Sequence, residues 1–91
     1  MSYAWRLTGD ARADLRELEP QLQEDVIDQI DALTEAPESM IVDEDDCVVV
    51  EVERHSSGML HLLFIRLHRD DGRELITVLG IGDHAEPEYW E

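Results

Sequence analysis

Four side chains carry most of the chemistry that this sequence offers. His84 is an imidazole, the side-chain type that most often serves as a general base or acid. Tyr89 is a phenol that can donate a proton or stack against a base. Arg66 and Arg54 are guanidiniums, each able to grip a phosphate through two N–H donors. Each also has a purely structural reading. His84 can cap a strand, Tyr89 and Trp90 can seal an exposed sheet face, and the two arginines can pair with nearby acids.

Arg66 is the most informative of the four. It shares strand parity with Leu62, Phe64 and His68, while Leu63, Ile65 and Leu67 take the opposite face. If helices cover the Leu63 side, Arg66 and His68 lie on an open face with Phe64, where a substrate or partner would sit. Other candidates carry less. His61 and His68 are an odd number of residues apart, so a regular strand points them to opposite faces and no shared metal is expected. Cys47 reads as a small core residue rather than a nucleophile. Glu51 and Glu53 share a face and read as solvated. Phosphate loop, dinucleotide fingerprint and nucleophile elbow are all absent from the sequence, so no cofactor is expected.

The charge balance narrows the partners. The 91 residues hold 23 Asp plus Glu against seven arginines and no lysine, a formal net charge of -16. Phosphate contacts need clustered cations, so ordinary low-salt nucleic-acid binding is disfavoured, as is an anionic membrane surface. Mimicry of an anionic polymer, a basic partner, and work in concentrated salt remain. Glu24 and Asp28 are four apart on the second helix, and so are Asp31 and Glu35. Like charges at that spacing repel. The Debye length shrinks to about 3 Å at 1 M salt, which removes most of the repulsion. The expected setting is a halophile's cytosol. No apolar run is longer than four residues, as at Leu62 to Ile65, so no membrane span or secretory signal is expected, and the location is expected to be cytoplasmic. A single cysteine excludes an internal disulfide and a Cys-based zinc cage.

These residues must be positioned by a single small domain over residues 1–91. Ser2 to Leu7 alternates and predicts a short strand, with Tyr3, Trp5 and Leu7 on one side. Thr8 suits the N-cap of a helix from Gly9 to Leu18, with Ala11, Leu15 and Leu18 as its apolar face. Pro20 opens a second helix striped by Leu22, Val26, Ile27, Ile30 and Leu33, and Pro37 ends it. Strands are predicted at Cys47–Arg54, Met59–Arg69 and Glu74–Gly82, joined by turns at Ser56-Ser57-Gly58 and Asp70-Asp71-Gly72. In the last strand, Leu75, Leu79 and Ile81 are expected to oppose Ile76 and Val78. The fold class is α+β, in the order β-α-α-β-β-β: a helical hairpin on a four-stranded, largely antiparallel sheet. Two short helices can cover one sheet face. The other needs the tail, a second copy of the chain, or a partner.

The order of elements and the local wording resemble the RelE/ParE toxin superfamily of bacterial and archaeal toxin–antitoxin pairs. The resemblance rests on Thr8-Gly9-Asp10-Ala11 with Leu15 and Leu18, on Pro20 through Leu33 ending at Ala36-Pro37, and on Asp71-Gly72-Arg73. It closes with the run from Leu75 to His84 and then Tyr89. It implies a toxin silenced by a cognate antitoxin, and most specifically a ribosome-dependent mRNA endonuclease. In that chemistry the 2′-hydroxyl attacks the adjacent phosphate. His84 would serve as base or acid, Tyr89 as a second donor or stacking ring, and Arg66 and Arg54 as phosphate grips. The family's basic pair at the end of the last strand is here Asp83-His84, and its Tyr-Arg pair on the strand before is His61-Leu62. A second branch of the family acts on gyrase, which leaves a binding module without catalysis as an alternative. An acidic mimic or interaction protein is a third.

Overall fold

A computed structural model describes residues 2–87. Its elements are β1 (Ala4–Leu7), α1 (Gly9–Glu17), α2 (Pro20–Glu35), a 3-10 turn at Pro37–Ser39, β2 (Cys47–Ser56), β3 (Met59–Asp70) and β4 (Leu75–Pro87). Thr8 caps α1 as its type predicts, its Oγ1 accepting the Ala11 N–H at 3.1 Å. Pro20 occupies the first turn of α2, where its missing N–H costs nothing. Gln23 Nε2 donates to the Leu18 carbonyl at 2.8 Å and ties the two helices across their joint. Pro37 ends α2 because the residue before a proline is pushed out of the helical region, and Ala36 takes φ -133.

The strands form one sheet in the order β1-β4-β3-β2, with β1 parallel to β4 and the other pairs antiparallel. Ser57 and Gly58, at φ 55 and 73, are the two loop residues between β2 and β3. Positive φ at both is what a type I′ turn requires. The helices cover the face that carries Leu63, Ile65, Leu67, Ile76 and Val78, all fully buried, with Leu22, Val26 and Ile30 of α2 and Ala11 and Leu15 of α1 against them. Burying each of the larger side chains contributes about 1.5–3 kcal/mol. Among the described residues, no helix is long and apolar enough to cross a membrane.

Two expectations for the last strand are corrected. The strand runs through Pro87 rather than ending near Gly82, so His84 stands within it instead of following it. Its face assignment also changes part-way. Arg66 pairs with Gly80 and Leu67 with Val78, so Leu79 is an extra residue in a β-bulge. A bulge shifts the period-two alternation by one. Ile81 therefore joins Ile76 and Val78 on the buried face, where parity alone opposed them.

Candidate functional site

The register lays out the uncovered face in rows across β2, β3 and β4. From one end they read Cys47–His68–Thr77, Val49–Arg66–Gly80, Glu51–Phe64–Gly82, Glu53–Leu62–His84 and His55–Leu60–Glu86. Neighbouring rows lie about 6.6 Å apart along the strands, and neighbouring strands about 4.8 Å apart. Arg66 stands on this face, as its parity implied. It is exposed, and among the described residues no carboxylate lies within ion-pair distance of it. It lies across Gly80: a Cβ built there would come within 2.5 Å of Arg66 Nη2.

His84 lies on the same face, two rows from Arg66, roughly 13 Å along the sheet. Its Nε2 sits 3.0 Å from Glu86 Oε1, two residues on and on the same side of the strand. That carboxylate orients the imidazole. Glu53 ends the same row on β2, with Leu62 between them. A carboxylate and an imidazole therefore flank one half-buried leucine, their backbones two strand spacings apart. Glu53 reads as merely solvated in the sequence, because its row-mate on β4 is fixed only by the pairing register.

Arg54 does not join them. It has the parity of Val52, which is buried under the helices. Its Nε is 3.6 Å from Asp25 of α2, and its Nη1 donates to the Glu53 carbonyl at 2.8 Å. The two arginines point to opposite faces of the sheet and share no phosphate. Tyr89 falls outside the described residues.

Beside Arg54, on the helix side, the core turns polar. His61 is buried, with Nδ1 3.0 Å from Asp83 Oδ1 and Nε2 3.6 Å from Glu19 Oε1. The second distance is too long for a hydrogen bond, and Nε2 has no hydrogen-bond partner among the described residues. Ser56 and Ser57 both donate to Glu19 Oε2, at 2.9 and 3.3 Å. This cluster ties the start of α2 to the β2–β3 turn and to β4. Asp83 is thus held from below while its neighbour His84 projects above. Among the described residues, no group of three or more His, Cys, Asp and Glu side chains is arranged to hold a metal.

Cys47 lies half-buried at the end of β2 rather than in the core. Desolvation first, and then the charges of Asp43, Asp45 and Asp46, push its thiol above the usual range. The thiolate is disfavoured, so the residue is a poor nucleophile.

A last member of the open face comes from α1. Asp14 Oδ2 accepts the Ile81 N–H at 3.0 Å, and Thr8 Oγ1 donates to the Leu79 carbonyl, so α1 continues the edge of β4 beyond the end of β1. Asp14, Val49, Phe64, Arg66, Ile81 and Gly82 line a groove of about 350 Å³.

This architecture has solved relatives. A free-state double mutant of the E. coli toxin RelE superposes with a TM-score of 0.70 at 19% identity, over 90% of this chain and 83% of that one. The isolated E. coli RelE toxin gives 0.67 at 19%, over 96% and 89%. The fold is that of the RelE toxins. The RelBE2 toxin–antitoxin complex of Mycobacterium tuberculosis matches the same RelE-like fold at 0.64 and 20% identity, over 92% of this chain and 100% of that one. No family model matches the sequence, and no curated protein matches it. The likeness to RelE is carried by backbone and topology.

Proposed function

We propose that this chain is the toxin of a toxin–antitoxin pair and cuts mRNA on the ribosome at the open face of its sheet. The observation that carries the reading is the Glu53–Leu62–His84 row, with Arg66 two rows away on the same uncovered face of a RelE-like fold. RNA cleavage without a metal needs a proton acceptor for the 2′-hydroxyl, a donor for the leaving 5′-oxygen, and a cation for the charge that develops. With the scissile phosphate over Leu62, Glu53 takes the 2′-hydroxyl proton as that oxygen bonds to phosphorus. His84, in its imidazolium form, is the cation beside the developing charge and gives its proton to the 5′-oxygen as that phosphorus–oxygen bond breaks. The products are a 2′,3′-cyclic phosphate and a 5′-hydroxyl. Arg66, two rows away, holds a neighbouring phosphate of the strand. Tyr89 is retained as a second donor or stacking ring from the tail. Arg54 has no part in this scheme, because its side chain is turned toward α2.

The partner in this reading is a cognate antitoxin, since two of the similar solved structures are toxin–antitoxin complexes. Concentrated salt is the proposed setting, supported by the net charge of -16 and by the like-charged pairs on α2. A second reading keeps the surface and drops the chemistry: a binding module acting on gyrase or on regulation. The exposure of Val49 (57%) and Phe64 (36%) on the open face favours it.

The test is cleavage of mRNA on salt-matched ribosomes in multimolar KCl, with His84→Ala and Glu53→Gln controls. Cleavage lost in both establishes the acid–base row. Cleavage that survives both removes the assignment. Absence of cleavage in the unaltered protein favours the binding module.

A further inference from the structure

We propose that the groove beside Phe64 is a stacking slot for one unpaired nucleobase of the bound RNA strand. This rests on the RNA-cleaving reading of the same face. The slot begins with two glycines. Gly80 and Gly82 are successive open-face positions on β4, so neither raises a side chain of its own, and the backbone at Gly82 is left as an exposed floor. Phe64 stands next to Gly82 across the β3–β4 pair, and Arg66 lies over Gly80 and closes one end. Asp14 of α1 walls the far side, and Val49 of β2 stands on the near side.

An aromatic ring and a guanidinium plane are the side-chain surfaces on which splayed-out bases stack. Asp14 has one oxygen engaged with the Ile81 N–H and presents a carboxylate at the rim, so it favours a base with N–H donors on its edge, guanine above uracil. The spacing agrees with the proposed chemistry. Phe64 is one row, about 6.6 Å, from the Glu53–His84 row, which seats the base beside the bond being cut. Arg66 lies one row further and reaches the phosphate beyond it. A cation, a carboxylate and a peptide floor rim this groove, which suits a flat polar heterocycle better than an aliphatic peptide side chain.

The experiment uses Phe64→Trp as a fluorescent reporter in the full chain, titrated to millimolar GMP, UMP and ribose 5-phosphate in 2 M KCl. The expected result is saturable quenching by GMP, weaker quenching by UMP, and none by ribose 5-phosphate. Gly82→Val in the same background plugs the slot and reduces the GMP response by about tenfold or more, the scale of one lost base stack. A Cβ at Gly82 would lie 3.9 Å from Phe64 Cβ, an ordinary contact, so this variant is expected to fold, and its melting temperature checks that. No quenching by GMP overturns the proposal, as does an equal response to ribose 5-phosphate or a response unchanged by Gly82→Val. Quenching by N-acetylphenylalaninamide as strong as by GMP assigns the groove to a protein side chain and overturns it too. Quenching by GMP without mRNA cleavage keeps the slot and removes the catalytic reading; cleavage without quenching removes the slot alone.

Discussion

Gly80→Ala separates the fold from the site more cleanly than deleting any functional residue. The added Cβ would lie 2.5 Å from Arg66 Nη2 and 3.2 Å from its Cζ and Nε. Ordinary carbon contacts lie at about 3.5–4.0 Å, so the guanidinium must lift by about 1 Å. It is the free end of a flexible, exposed side chain with no ion pair among the described residues to lose. Displacing it therefore costs little. Replacing glycine at a compatible backbone position gains about 0.4–1 kcal/mol by restricting the unfolded chain. The two effects nearly cancel, and stability should stay within about 1 kcal/mol, or about 4–8 °C in Tm for a domain of this size. Function should respond much more. A misplacement of about 1 Å in a positioning group can cost on the order of a hundredfold. The assay pairs thermal unfolding with ribosome-dependent cleavage, both in high KCl. A melting temperature lowered by 15 °C or more would show that the backbone yields instead of the side chain. Unchanged cleavage would show that the seat of Arg66 does not matter.

Three further outcomes are expected. Arg54→Ala should lower stability by no more than about 1 kcal/mol, because its 3.6 Å pair with Asp25 is partly solvated, and should leave cleavage intact; a large loss of cleavage would place Arg54 in the site after all. The melting temperature should rise steeply between 0.1 M and 3 M KCl as repulsion within the -16 charge is screened, and a flat curve would refute the salt-adapted reading. Alkylation of Cys47 by iodoacetamide should have its pH midpoint above that of an unperturbed cysteine, because the deprotonated form is disfavoured, and replacing Asp43, Asp45 and Asp46 by Asn should move the midpoint down; a midpoint unmoved by those changes would leave desolvation as the whole cause.

Local chemistry was readable wherever one residue type decides the backbone. Thr8, Pro20, Pro37 and Ser57-Gly58 each mark a boundary that the structure keeps. Period-two alternation sorts β3 into two faces and puts Arg66 opposite Leu63, Ile65 and Leu67; the packing of the helices decides which face is buried. Relations between strands were harder to read. The bulge at Leu79 breaks alternation without a glycine or proline at that position, so parity alone puts Ile81 on the wrong side. The last turn of pairing, Asp83 to Pro87, is polar and lacks β-branched residues, and nothing in its composition signals a strand. Arg54 could have been placed from its parity with Val52. Glu53 and His84 could not have been matched, since their row exists only through the register of both neighbours with β3.

The parallel pair of β1 with β4 has a consequence in time. Arg6 bonds to Thr77 across 71 residues, and the groove's Asp14 wall is anchored to Ile81 across 67. The β2–β3–β4 meander can assemble from neighbours in the chain, but the pairing that seats β1 and α1 closes a long loop and is slow by nature. During synthesis, β1 and both helices emerge well before the strand they must join. The open face is therefore without its α1 wall until β4 has been made. A protein proposed to attack ribosomes would thus stay incomplete while still being built on one.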